Sequence, residues 1–115
     1  MMTDNIFLKI IERKIPAQIV YEDEHCVAFR DVNPQAPTHI LLIPKEHIES
    51  LDDIRDGHGS LLADIVQAAV HLARTEGIDE RGWRFVSNVG RDAGQAVFHL
   101  HFHLLGGRPM GWPPG

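Results

Sequence analysis

Residues 97–105 read VFHLHFHLL, and this segment constrains the fold of the chain more than any other. Its side chains alternate strictly, so an extended strand places them on two opposite faces. One face carries three histidines, His99, His101 and His103. The other face is apolar and consists of Phe98, Leu100, Phe102 and Leu104. We therefore predict a strand whose apolar face lies on the core and whose opposite face carries three imidazoles.

The remaining sequence predicts an antiparallel sheet with two helices. Apolar residues recur at helical spacing over residues 5–14, before Pro16, and over residues 59–76, which Gly77 follows as a C-terminal cap. Segments rich in β-branched and aromatic residues predict strands over residues 19–21, 25–29, 39–43, 83–87 and 97–105. Because these strands are joined mostly by hairpins, we predict an α+β architecture with the helices packed on one face of the sheet.

Composition indicates a single globular domain over residues 1–115. Hydrophobic residues make up 43% of the chain and charged residues 23%, which is typical of such domains. Cys26 is the only cysteine, so no internal disulfide forms, and residues 1–11 lack a leader pattern. No apolar stretch approaches the ~20 residues of a membrane-spanning helix. We expect a cytoplasmic protein that does not associate with membranes.

Charge is distributed unevenly along the chain. Residues 1–80 carry 7 Lys and Arg against 15 Asp and Glu, whereas residues 81–115 carry 4 arginines against one acidic residue. No stretch clusters Lys and Arg densely enough to neutralise many phosphates, so nucleic acid is not an expected partner. The basic C-terminal third is compatible with a small anionic ligand.

The clustered histidines have three explanations. A solvent-facing role is the plainest, although Thr, Lys, Glu or Arg more often fill such a face. Metal binding is the second, but in a strand the Cα atoms of His99 and His103 lie roughly 13 Å apart. With zinc–nitrogen bonds of ~2.0–2.1 Å, a metal site would need a ligand from elsewhere, such as His39 or His47.

Chemistry on a phosphate is the third explanation and accounts for more of the sequence. A neutral imidazole nitrogen is a good nucleophile near neutral pH, and neighbouring histidines can move the protons that a leaving group needs. The preceding loop contains Asn88, Gly90, Gly94 and Gln95. Its backbone N–H groups and side-chain amides are suitable donors to an oxyanion.

The segment His99-Leu-His101-Phe-His103-Leu-Leu resembles the His-x-His-x-His-x-x motif, with x apolar, that names the histidine triad (HIT) family. Further resemblance to the Hint branch of that family extends over most of residues 6–115. It is carried by Gly94-Gln95 and by the segments DVNPQAPTH at 31–39, IPKEH at 43–47, LGGR at 105–108 and GWPPG at 111–115.

The resemblance implies a HIT-like fold with a five-stranded antiparallel sheet, one long and one short helix, and a sheet that continues across a homodimer. It also implies a hydrolase that cleaves the P–N bond of purine nucleoside 5'-phosphoramidates, such as an AMP amide, without a cofactor. By the same resemblance His101 is the nucleophile and forms a nucleotidyl-imidazole intermediate. Splitting one displacement into two steps is the advantage of covalent catalysis.

The resemblance assigns roles to other positions as well. His103 and His39 form the proton relay, His99 positions the phosphate, and Asp31 binds the ribose hydroxyls. The base pocket is lined by Ile6, Phe7, Ile10, Phe29 and Val32, which are equally well explained as core. The phosphate is held by Asn88, Gly94, Gln95 and Ala96. Trp112 lies in the C-terminal segment that reaches toward the active site of the partner subunit.

The sequence departs from the family pattern in two respects. Ala96 stands where many Hint-like proteins have a serine, and it cannot donate a hydrogen bond to the leaving group. Asn5 and Leu8 stand where some members have zinc-binding cysteines, so we expect no structural metal. Other functions that remain open are dinucleoside polyphosphate hydrolysis, a nucleotide-binding or interaction module with vestigial activity, and a metal-binding protein.

Overall fold

Five strands form one antiparallel sheet in the order β1-β2-β3-β5-β4 in a computed structural model that describes residues 5–115. The strands are β1 (Ile19–Glu22), β2 (Cys26–Arg30), β3 (Thr38–Pro44), β4 (Trp83–Val86) and β5 (Phe102–Gly106). Two α-helices accompany them, α1 (Ile6–Ile11) and α2 (Gly59–Thr75), with short 3-10 turns at Leu51–Asp53 and Asp56–His58. The predicted α+β fold class is confirmed. Residues 1–4 of the predicted domain lie outside the described residues.

Strand β3 is the centre of the sheet, and every one of its residues is buried. Ile40 and Leu42 pack in the cluster beneath α2, whereas Leu41 and Ile43 pack with α1. Successive side chains of a strand point to opposite faces, so the two helices cover opposite faces of the sheet. The prediction that both helices lie on one face is wrong. A continuous apolar run such as this one is typical of a strand that is buried on both sides.

Helix α2 covers one face through an apolar stripe and ends at a glycine. Its buried residues are Ile65, Ala68, Ala69, Leu72 and Ala73. Gly77 follows with a φ of 74°, and the N–H groups of Gly77 and Ile78 donate to the carbonyls of Arg74 and Ala73. This pair of hydrogen bonds is a Schellman motif, which confirms the cap predicted at Gly77. None of the helices described within residues 5–115 has the length and hydropathy of a membrane span.

Helix α1 is shorter than predicted and covers the opposite face. Its side chains Phe7 and Ile10 pack with Val27 and Phe29 of β2. The side chain of Asn5 caps its first turn by accepting hydrogen bonds from two backbone N–H groups. The helix therefore holds a defined position over β2 and β3, and its Phe7 ring packs against the rings of His99 and His101.

The histidine strand begins later than predicted, at Phe102 rather than at residue 97. Before that point the backbone bonds elsewhere: the N–H of Leu100 donates to the carbonyl of Ile48 at 2.6 Å, and the hydroxyl of Ser87 donates to the carbonyl of His101 at 2.7 Å. Leu100, Phe102 and Leu104 lie in the core as expected. Phe98 does not, since it is 55% exposed.

Candidate active site

Two neighbouring strands bring His39 and His103 together on the face that α1 covers. In the ladder between β3 and β5, Leu41 lies opposite His103 and His39 lies opposite Leu105. His39 and His103 are therefore diagonal neighbours on one face, within reach of each other's side chains. Their ring nitrogens, Nε2 of His39 and Nδ1 of His103, are 2.8 Å apart.

The hydrogen bonds of His39 decide which ring nitrogen carries its proton. Its Nδ1 accepts from the backbone N–H of Gln35 at 3.0 Å, so its proton lies on Nε2 and is donated to Nδ1 of His103. The neutral ring of His103 then carries its own proton on Nε2. A carboxylate oxygen of Asp31 lies 3.4 Å from Nε2 of His39. The N–H of His39 thus lies between His103 and Asp31, and the three side chains form one polar cluster.

His101 is held in the tautomer that a nucleophile requires. Its Nδ1 lies 2.7 Å from the carbonyl oxygen of His99, and a carbonyl only accepts, so Nδ1 carries the proton. The lone pair is on Nε2, which is the atom free to attack. The ring is buried, and Phe7 of α1 packs edge-on against it with centroids 5.0 Å apart.

His99 is fully buried and fixed at both ends of its ring. Its Nε2–H donates to the carbonyl of Pro44 at 2.8 Å. Its Nδ1, left with the lone pair, lies 3.2 Å from the side-chain nitrogen of Asn5 and 3.2 Å from Nδ1 of His47. His99 therefore anchors the segment that carries His101.

Burial keeps these four rings uncharged at neutral pH. Loss of solvent lowers the pKa values of His39, His99 and His101 below that of a free imidazole. The pKa of His103 falls to about 4 because of burial and, to a smaller extent, the neighbouring rings of His101 and His39. Neutral imidazoles are the form that acts as nucleophile and base.

Three side chains bring potential metal ligands within 4.8 Å of one another, Asp31, His39 and His103. The hydrogen-bonded nitrogens of His39 and His103 are 2.8 Å apart. Two nitrogens that share a tetrahedral zinc ion at about 2.1 Å each lie about 3.4 Å from each other. The spacing is therefore that of a shared proton, and an ion would have to push the two rings apart.

The predicted base-pocket residues divide into two groups. Phe7, Ile10 and Phe29 are buried together in the cluster beneath α1. Ile6 is 46% exposed and Val32 is 99% exposed, so neither belongs to that cluster. The structure thus buries the first three together, brings Phe7 against the rings of His99 and His101, and leaves the other two at the surface.

The residues of the predicted phosphate-holding loop differ in exposure and in hydrogen bonding. Gly94 and Ala96 are exposed, and Asn88 is half-buried. The amide of Gln95 is engaged within the loop region: its nitrogen donates to the carbonyls of Glu49 and Val97, and its oxygen accepts from the N–H of Gly90. Gln95 therefore braces the loop that precedes the histidines.

The C-terminal segment leaves Trp112 83% exposed. The guanidinium of Arg84, on the edge strand β4, donates to the carbonyl of Gly111 at 2.9 Å and ties the segment to the sheet. A large aromatic side chain is thus presented at the surface next to that sheet edge.

Sequence reasoning missed two residues that orient the histidines, Asn5 and Gln35. Asn5 had a usable signal, because asparagine before an apolar helical segment is a preferred N-cap. Its bond to His99 had none, since the two residues are 94 positions apart. Gln35 acts through its backbone N–H, which any residue except proline would supply.

Comparison with known proteins decides the family. The HIT domain family model matches residues 12–110. The chain belongs to the HIT family. An uncharacterized HIT-like protein of Synechococcus elongatus is 54% identical over 115 residues, with 100% of both chains covered. A purine nucleoside phosphoramidase of Escherichia coli (strain K12) is 49% identical over 111 residues, covering 96% of this chain and 93% of that protein.

Solved structures agree with this assignment. The crystal structure of a HIT family hydrolase from Legionella pneumophila Philadelphia 1 superposes with a TM-score of 0.95 at 52% identity. The match covers 97% of this chain and 100% of that one. The five-stranded antiparallel sheet with one long and one short helix is therefore the HIT fold, as the motif over residues 99–105 predicted.

Proposed function

We propose that this HIT protein hydrolyses the P–N bond of purine nucleoside 5'-phosphoramidates, with an AMP amide as the simplest substrate. The observation that carries the proposal is the tautomer of His101, whose Nδ1–H is bound to the carbonyl of His99 while Nε2 keeps its lone pair. The family membership and a 49% identical relative named as a purine nucleoside phosphoramidase support this substrate class.

The proposed reaction has two displacements. Nε2 of His101 attacks the α-phosphorus, the P–N bond to the amine breaks, and the amine leaves with a proton. Water then attacks the nucleotidyl-imidazole, the bond between phosphorus and Nε2 breaks, and AMP is released. His103, whose neutral ring carries a proton on Nε2, and His39 beside it supply and recover the protons.

The substrate is held, in this proposal, by the groups around the histidines. Asp31 accepts hydrogen bonds from the ribose hydroxyls, and its carboxylate already lies beside His39. The purine lies against α1, above the buried side chains of Phe7, Ile10 and Phe29, and Ile6 and Val32 form the exposed margin of that surface. The phosphate lies near the loop that contains Asn88, Gly94, Gln95 and Ala96.

The proposal extends to assembly and location. Residues 1–115 form one HIT domain, two copies form a homodimer with a continuous sheet, and Trp112 of one copy reaches toward the site of the other. The exposure of Trp112 next to the edge strand β4 supports this arrangement. The expected location is the cytoplasm.

Kinetics on matched substrates test the proposed function. We expect kcat/KM for adenosine 5'-phosphoramidate to exceed that for diadenosine polyphosphates, and a nucleotidyl adduct on His101 to be detectable by mass spectrometry. His101→Ala removes the nucleophile, so hydrolysis is lost while AMP binding, measured by calorimetry, remains. A preference for diadenosine polyphosphates would assign the other HIT activity. Full turnover by His101→Ala would refute the assignment of His101 as the nucleophile.

A further inference from the structure

The amide of Asn5 lies between helix α1 and the histidines. Its Oδ1 accepts hydrogen bonds from the backbone N–H groups of Phe7 at 2.9 Å and Leu8 at 3.2 Å. These two bonds fix the orientation of the amide, because turning it over would place the NH2 group against N–H donors. Its Nδ2 therefore faces Nδ1 of His99, 3.2 Å away, and lies 3.5 Å from Nδ1 of His47.

The far side of His99 is fixed equally well. Its Nε2–H donates to the carbonyl of Pro44, so Nδ1 has a lone pair and needs a donor. His99 is fully buried, so water does not supply that donor. Both nitrogens of the ring are thus bound by groups from distant parts of the chain, one from the start of α1 and one from the end of β3.

The backbone of His99 orients the nucleophile. Its carbonyl accepts the Nδ1–H of His101 at 2.7 Å and so holds the lone pair of His101 on Nε2. A ring that is pinned at both ends restricts the position of its own backbone. Phe7, one of the residues whose N–H Asn5 caps, packs against the ring of His101 itself.

We propose that Asn5 is a positioning residue for the proposed reaction, clamping His99 through its side-chain NH2 group and thereby setting the orientation of His101. This inference rests on the proposed function of His101 as nucleophile. The clamp is separate from the capping role of Asn5, because the cap uses Oδ1 and the clamp uses Nδ2.

His47 is the competing donor, since its Nδ1 also lies 3.2 Å from Nδ1 of His99. Two observations favour Asn5. Asn5 is buried and its amide is held by two backbone bonds, whereas His47 is exposed. A single lone pair accepts one strong hydrogen bond, and the donor that is already oriented loses less freedom in making it.

Three substitutions separate the clamp from the cap. Asn5→Ser keeps a capping oxygen but is too short to reach His99, and Asn5→Asp keeps the cap while replacing the NH2 donor with an oxygen. Ser and Asp are both good N-caps, so the folded fraction and melting temperature stay near those of the parent chain. His47→Ala is the matched control, because it removes the other neighbour of the same nitrogen.

The kinetic readout is the separation of kcat from KM for adenosine 5'-phosphoramidate. We expect Asn5→Ser to lower kcat roughly 3- to 10-fold, the range of one hydrogen bond, with KM unchanged. His47→Ala keeps the parental kcat. An unchanged kcat in Asn5→Ser, a loss that follows the melting temperature, or an equal loss in His47→Ala would overturn the assignment to Asn5.

The second readout does not depend on turnover. Nitrogen-15 spectra of the imidazoles report the state of each ring nitrogen. In Asn5→Ser the Nδ1 signal of His99 moves toward that of a nitrogen without a donor, and in Asn5→Asp it moves toward a protonated nitrogen. The signals of His39 and His103 stay in place. If the parent chain proved inactive on phosphoramidates, the proposed function would fail, and unchanged His99 signals in both variants would independently refute the clamp.

Discussion

The Nε2 atom of His39 lies 2.8 Å from Nδ1 of His103, although 64 positions separate the two residues in the sequence. The ladder between β3 and β5 makes this pairing, because it sets the two residues as diagonal neighbours on one face. The consequence is that one ring donates to the other, and the proton arrangement of the site is built into the register of the sheet.

Acid sensitivity is the first expected consequence of these buried rings. The pKa of His103 falls from 6.5 in a free imidazole to about 4 in the folded chain. As pH falls below 6.5 the unfolded chain binds a proton at this position before the folded chain does, so the unfolded state is favoured. Stability is therefore fully present above pH 6.5 and is lost progressively as pH falls toward 4.

Urea unfolding at a series of pH values measures this effect. His103→Asn removes the titrating ring, so its urea midpoint falls less steeply with pH than that of the parent chain. The rings of His39, His99 and His101, whose pKa values are lowered by burial as well, contribute to the remaining slope. Parallel profiles for the two proteins would contradict the assignment to His103.

The sequence predicted the positions of the strands and helices better than the contacts that these elements make with distant parts of the chain. The alternation over residues 99–104 separated the histidines from Leu100, Phe102 and Leu104, and the structure keeps that separation. It did not predict that the ladder starts at Phe102, because the bond from Leu100 to Ile48 joins residues 52 positions apart. Local pattern gives the direction of a side chain and is silent about which distant backbone group it meets.

The sequence pattern of α1 also could not predict which face of the sheet the helix covers. Amphipathic spacing over residues 5–14 predicts a buried stripe but not the surface that buries it. The apolar run of β3 did indicate that both faces of the sheet are covered, because a strand that is apolar on both faces must be buried on each. The family resemblance assigned roles to His39 and Asp31, whereas the bond between Asn5 and His99 depends on the position of α1 and was found only in the structure.

The junction between the end of α2 and β5 is the next point at which we expect a large effect. A Cβ atom at Gly106 would lie 2.5 Å from Cδ1 of Ile78 and 3.0 Å from its Cβ. Ile78 is buried, and its N–H completes the cap of α2, so it has little room to move. We expect Gly106→Ala to lower the free energy of unfolding by about 1–3 kcal/mol, the usual cost of overpacking.

Chemical denaturation of Gly106→Ala beside Gly111→Ala measures this cost. A Cβ at Gly111 meets nothing within 4 Å, so that variant should unfold with the parental midpoint. Ile78→Ala combined with Gly106→Ala removes the closest colliding atom, Cδ1 of Ile78, so the double variant should lose less than the sum of the two single losses. Strict additivity would show that the contact between residues 78 and 106 is not the source of the effect.

Ala96 provides a gain-of-function prediction for the proposed reaction. It is exposed, lies three positions before His99, and offers no hydrogen-bond donor to a departing amine. Ala96→Ser adds a hydroxyl at this point. We expect this hydroxyl to donate to the scissile nitrogen, so that kcat for a phosphoramidate with a poorly leaving alkylamine rises roughly 3- to 10-fold, the value of one hydrogen bond.

The leaving group supplies the control for this prediction. A nucleotide ester of p-nitrophenol releases p-nitrophenolate, a stable anion that needs no proton to leave. Ala96→Ser should therefore leave the turnover of this ester unchanged. Ala93→Ser places a hydroxyl at another exposed position of the same loop and should change the turnover of neither substrate. An equal rate increase on both substrates would mean that the serine acts on the phosphate and not on the leaving nitrogen, because only the latter contribution depends on the basicity of the amine.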